Sequence, residues 1–233
     1  MIMTIDQNQL SSADFIKNEV LTLGFIKGQT SVANRFPELY GEAAIAYDIY
    51  SGKHKKSTPT DFIFGCELIM EVENKSCIIF IEAEVLQNYS LATYALSMCE
   101  SDGAQKKLIR KFHFDYDPQG NSTFDKKPKY HLQYGGKATS KLKENDISTE
   151  CLQHWLSVPR FSIIPINLAL LLDTIFNEFP SEETKKITEG NEWRKMIKTN
   201  EDKILLPYFK SVSQFISSNH KSTSLFRDFV YGE

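Results

Sequence analysis

The sequence predicts an α+β fold: an antiparallel sheet of about four or five strands with helices packed on one face. Three observations carry that expectation. Apolar and polar residues alternate with period two through several segments between residues 61 and 134, the pattern of strands whose two faces differ. From residue 165 onward the apolar spacing becomes helical. The 233 residues, 41% of them hydrophobic, can fill one large core, so residues 1–233 read as a single domain with a helical C-terminal part from about 165.

The first element is a helix in "SSADFIKNEVLTLGF", with Ser11 and Ser12 as cap candidates, Phe15, Val20 and Leu23 at helical intervals, and Gly24 as its stop. Residues 30–60 accommodate a helix or a strand in the middle and a basic loop from Gly52 to Pro59. Phe62, Phe64, Cys66, Leu68, Met70 and Val72 then alternate with Glu67, Ile69, Glu71 and Glu73. After the turn-forming "ENKS", Ile79, Ile81 and Ala83 alternate with Glu82 and Glu84, so the two runs make a β-hairpin. "SLATYALSMCESDG" places Leu91, Tyr94, Ala95 and Met98 at i, i+3, i+4 and i+7, which predicts a short amphipathic helix.

"KKLIRKFHFDYDP" returns to alternation, with Leu108, Arg110, Phe112, Phe114 and Tyr116 on one side and Lys107, Lys111, His113, Asp115 and Asp117 on the other. In "KYHLQYGG" Tyr130, Leu132 and Tyr134 alternate with Lys129, His131 and Gln133. The polar run 137–150 reads as an exposed loop, and "CLQHWLSVPRF" fits either a helix or a strand entering the sheet near Val158. "PINLALLLDTIFNEF" is the clearest helix: Pro165 suits its first turn, and Leu168, Leu171, Leu172, Ile175 and Phe179 form a wide stripe. "SEETKKI" and "NEWRKMIK" read as short helical turns, and "LPYFKSVSQFIS" as a last helix that Pro207 starts or kinks. The helices at 165–179 and 205–217 are expected to cover one face of the sheet, leaving the other in water.

Composition narrows the function classes. A formal charge of −3 argues against a nucleic-acid footprint spread over the whole molecule, although a local basic patch for RNA stays open. The four cysteines are widely spaced, as expected for reduced, buried thiols in a cytoplasmic protein. No apolar run is long enough to span a bilayer. Phosphate-loop and serine-elbow motifs are absent, and "IEAEV" lacks the lysine that a restriction-type nuclease carries two residues after its acid. No cofactor or metal is expected; Cys151 beside His154 is the one thiol placed for nucleophilic chemistry.

The candidate site residues are His113, Asp115 and His131, which share a face if their two strands pair, together with Arg160 in "SVPRF". Two imidazoles near a carboxylate suit acid–base transfer, and a planar guanidinium suits a phosphate or carboxylate. Strand alternation alone also gathers polar residues on a solvated face, which is the weightier of the two readings.

The ordered run "KFHFDYDP", "KPKYHLQYGG", "VPRF" and "PINLALLLDTIFNEF", residues 107 to 180, resembles a group of uncharacterised bacterial proteins. In these a strand ending F-D-x-D precedes a P-x-x-H-L strand and glycine, then a Pro/Arg strand and a helix ending in an aromatic. The resemblance implies a small accessory or toxin-like protein of bacterial defence or toxin–antitoxin loci, and it picks out His131 and Arg160, with Asp115 and Asp117 behind them. The chain departs from that pattern through the insertion at 137–150, and residues 1–105 have no counterpart in it. The expected function is that of an accessory protein that binds a protein partner encoded nearby, away from membranes. The alternative is a metal-independent ribonuclease-like effector in which His113 and His131 exchange protons while Arg160 or Lys111 stabilises the phosphate.

Overall fold

A computed structural model of the chain describes residues 12–28, 62–72, 75–85, 92–102, 105–116, 128–135 and 160–218. Expectations for 30–60, 137–150, Asp117, Cys151 and His154 lie outside those residues. Among the described residues six strands form one antiparallel sheet in simple sequence order: β1 Phe62–Val72, β2 Lys75–Val85, β3 Ala92–Asp102, β4 Gln105–Tyr116, β5 Tyr130–Tyr134 and β6 Arg160–Ser162. Around it lie α1 Ser12–Gly28, α2 Leu168–Glu178, α3 Glu182–Thr188, α4 Asn191–Asn200 and α5 Leu206–Ser218. The fold is α+β, as the patterning predicts.

The sixth strand arises because β3 is not the helix that its spacing suggested. Tyr94 and Leu96 are buried on one face of β3, and Ala95 and Ser97 are buried on the other. With neither face wet, the chemical contrast that reveals a strand is missing from the sequence. The opposite correction applies to α1, which runs through Gly24 to Gly28. Ile26 beyond the glycine is fully buried in the core, and such packing outweighs the roughly 1 kcal/mol that a mid-helix glycine costs.

The main core lies on one face of the sheet. Leu68, Ile79, Ile81, Ala83, Tyr94, Leu96 and Tyr116 pack there against Leu23 and Ile26 of α1, Leu168, Leu171, Leu172, Ile175 and Phe176 of α2, and Trp193 of α4. The Trp193 ring lies 5.4 Å from Phe25 and 5.5 Å from Phe176, and its Nε1–H donates to Asp173 Oδ1 at 2.7 Å. Among the described helices, α1, α2, α3 (through Ile187) and α4 contribute buried residues to this core. α5, expected to do so, has no buried residue and touches the sheet through Tyr208, whose ring lies 6.0 Å from that of Tyr130.

α2 begins at Asn167 rather than Pro165. The Asn167 side chain accepts from Leu170 N–H at 3.1 Å and donates to Asn200 Oδ1 at 2.7 Å, which ties the start of α2 to the end of α4. A π-helical turn, Glu201–Leu205, joins α4 to α5, so the helix runs on through Pro207. Proline lacks an N–H and crowds the carbonyl one turn back, and the wider turn before it relieves both constraints.

The face expected to be wet is largely sealed. Lys111 and Ser97 are 0% exposed and His131 is 2% exposed. Ile78, Phe80, Cys99 and Leu108 form a second apolar cluster on the same side. Leu108 reaches it because the register slips: Met98 pairs with Arg110 and Cys99 with Leu108, leaving Ile109 as an extra residue in β4. Leu108 and Lys107 thus face the sides opposite to those that uninterrupted alternation assigns, while Phe112, Phe114 and Tyr116 stay on the core side.

Glu19 of α1 is a buried carboxyl inside this framework. Both of its oxygens accept from Leu168 N–H, at 3.2 and 3.3 Å, at the first turn of α2. Burial raises its pKa from 4.5 to about 8, a rise that this backbone N–H partly opposes. Between those values the folded chain keeps a proton that the unfolded chain has released, so this group's contribution to stability falls as pH rises through the window. Urea denaturation at a series of pH values should show that decline in the wild type and not in Glu19→Gln, whose amide stands in for the protonated acid. Trp193→Ala should destabilise the fold by about 3–5 kcal/mol in the same assay, through the cavity it opens between α1, α2 and α4.

Candidate functional site

The register of β3 to β6 builds a polar grid on the sealed face. Across one row, Ala95 pairs with His113, His113 with Gln133 and Gln133 with Arg160; across the next, Thr93 pairs with Asp115, Asp115 with His131 and His131 with Ser162. Directly paired residues project to the same side of a sheet, so His113, Asp115, His131 and Arg160 share one face. Glu82 and Glu84 of β2 occupy register positions opposite Ala95 and Thr93. Among the described residues no group of three or more His, Cys, Asp or Glu side chains is arranged to hold a metal ion.

His131 is held from both ends. Its Nδ1 lies 2.8 Å from Pro128 O, and since a carbonyl only accepts, Nδ1 must carry the proton. The spacing P-x-x-H is what closes this contact, three residues back along the chain. Its Nε2 lies 3.3 Å from Asp115 Oδ2. With Nδ1 already a donor, that second contact is attractive only when a proton sits between Nε2 and the carboxylate, as imidazolium with carboxylate or as imidazole with carboxylic acid. Gly135 closes β5: its φ of 103° turns the chain, and its N–H donates to Lys111 O at 2.8 Å.

His113 differs from its neighbour. Burial lowers its pKa from 6.5 to about 4; the charge of Lys111 pushes the same way, Asp115 opposes, and His131 adds a further small depression. The ring is therefore neutral near pH 7. Among the described residues its Nε2 is buried without a hydrogen-bond partner, and the same is true of Asp115 Oδ1 and Arg160 Nε. Three unpartnered polar atoms, one acceptor, one cationic donor and one imidazole nitrogen, thus belong to adjacent rows of a single sheet face. Each costs about 1–3 kcal/mol if left unmatched.

Other candidates separate from this grid. Cys77 and Cys99 are buried, and burial pushes the Cys77 thiol up, away from nucleophilic use. Tyr116 and Tyr130 stack at 4.9 Å against the main core, so those aromatics serve packing. Sequence reasoning missed Glu19 as a buried titratable group. Its place one turn before Leu23 and two before Ile26, on the apolar side of α1, was the available signal.

Comparisons with protein-family models, with curated proteins and with solved structures find no match. Among the described residues no helix is long and apolar enough to cross a membrane.

The depressed His113 pKa has a signed consequence. From 6.5 down to about 4 the unfolded chain takes up a proton that the folded chain refuses, so this group's contribution to stability falls as pH falls through that range. An NMR titration of the His113 ring should give a midpoint near 4, whereas a midpoint at the ordinary 6.5 would show the ring to be solvated.

Proposed function

We propose that the chain is a bacterial accessory protein that acts by binding a protein partner encoded nearby, in a defence or toxin–antitoxin type system. The observation that supports this reading is the division of labour inside the grid. His131 has both ring nitrogens occupied by Pro128 and Asp115 and is 2% exposed, so it offers no nitrogen for proton exchange with a substrate. A two-histidine ribonuclease needs both rings available at the scissile phosphate, one as base and one as acid. Here one imidazole instead orients a buried carboxylate. α5 supplies a surface suited to a protein partner, since Leu206, Phe209 and Ile216 lie exposed along it.

Co-expression with the products of the adjacent genes tests this reading. The chain should elute with one of them as a stable complex, and the purified complex should leave RNA intact in the presence of a chelator. Chelator-resistant cleavage that disappears in His113→Ala would instead establish the effector reading.

A further inference from the structure

α5 is amphipathic, yet none of its 13 residues is buried. It is held to the body near its base, where Ile204 of the π-helical turn packs against the main core and the Tyr208 ring meets that of Tyr130 at 6.0 Å. At about 100° per residue, Phe209, Val212 and Ile216 stand at i, i+3 and i+7, within roughly 60° of the helix circumference and along about 10 Å of its axis. Phe209 is 52% exposed and Ile216 48% exposed, so the stripe is open to an incoming surface. Polar residues fill the rest of the circumference: Ser211 and Ser213 flank the stripe, and Lys210 and Gln214 lie behind it.

Charge and area decide what covers such a stripe. A helix that lies on a membrane carries several lysines or arginines on its polar side, whereas Lys210 is the sole charged residue of α5. A second copy laid along the helix would join two footprints of about 20 by 10 Å, well short of the roughly 1,000 Å² of a stable interface. A groove with two walls holds the same helix on three sides, and anchors at i, i+3 and i+7 are the spacing that such a groove reads. Lys210 then points away from the contact, which therefore carries no ion pair. Resting on the partner-binding reading above, we infer that α5 is the element the partner protein grips: Phe209, Val212 and Ile216 enter an uncharged, apolar, helix-receiving groove of that protein, with Ser211 and Ser213 at its two rims.

The full chain and the adjacent-gene product with which it co-elutes are titrated against each other by calorimetry. Phe209→Asp and Ile216→Asp should each weaken the complex roughly thirtyfold or more, while Ile216→Leu, apolar and of equal volume, should hold the affinity within about threefold. Lys210→Ala and Gln214→Ala should leave it unchanged, and raising NaCl from about 50 to about 500 mM should alter it less than about twofold. Both anchor positions are about half exposed, and matching thermal midpoints of the variants secure the comparison. A complex undiminished in both aspartate variants removes α5 from the contact and leaves partner binding standing. Marked weakening by salt or in Lys210→Ala overturns the uncharged groove. Sedimentation of the chain alone as a dimer that Ile216→Asp dissociates assigns the stripe to a second copy. Flotation with phosphatidylcholine–phosphatidylserine vesicles that Phe209→Asp abolishes assigns it to a membrane, and either result overturns the inference. Failure of the wild type to bind any adjacent-gene product removes partner binding itself, and the groove with it.

Discussion

The register between β3 and β4 slips by one residue at Ile109, and the two sides of the sheet depend on that slip. Alternation gives a strand no freedom to send neighbours of equal parity to opposite faces, so without an extra residue Leu108 and Phe112 would have to share a side. The bulge sends Leu108 into the second apolar cluster and Phe112 and Phe114 against the main core. Lys111, His113 and Asp115 are carried with the latter half of the strand onto the face opposite the helices. The Arg110 side chain, which donates to Ile109 O at 3.1 Å, closes over the irregularity.

Sealing that face changes what its polar residues do. In water, His131 and Asp115 would be a screened surface pair worth little. Buried, the same contact fixes the ring and orders the carboxylate, because each lost hydrogen bond would leave a desolvated polar atom. The face is thus preorganised, with His131 and Pro128 as supports and His113, Asp115 and Arg160 retaining unmatched atoms. Glu19 follows the same physics on the opposite side of the sheet: a carboxyl without access to water takes up a proton and accepts from the first turn of α2. The two buried groups pull stability in opposite directions with pH, since Glu19 favours the folded chain less as pH rises and His113 favours it less as pH falls.

Much of this arrangement was legible beforehand. The β1–β2 hairpin, the alternation around His113 and His131 and the apolar stripe of α2 follow from local periodicity, which needs no tertiary information. Arg160 was legible as a candidate, and its pairing with Gln133 brings it into the row of His113. β3 was misread because both of its faces are buried, and α5 because an amphipathic stripe shows that a helix has an apolar side without showing what covers it. α4, which does join the core, has only a modest apolar content, and Trp193 is its one buried apolar residue.

The sequence by itself determined the class of fold, the strands that carry one wet-looking side, and the residues that would meet if those strands paired, because each is a consequence of side-chain spacing along the chain. Tertiary structure alone decided that the polar side would be sealed, that one histidine would become a support and the other a neutral, unmatched ring, and that Ile109 would switch the sides of β4. Burial and register are properties of what a segment packs against, and no segment carries that information within itself.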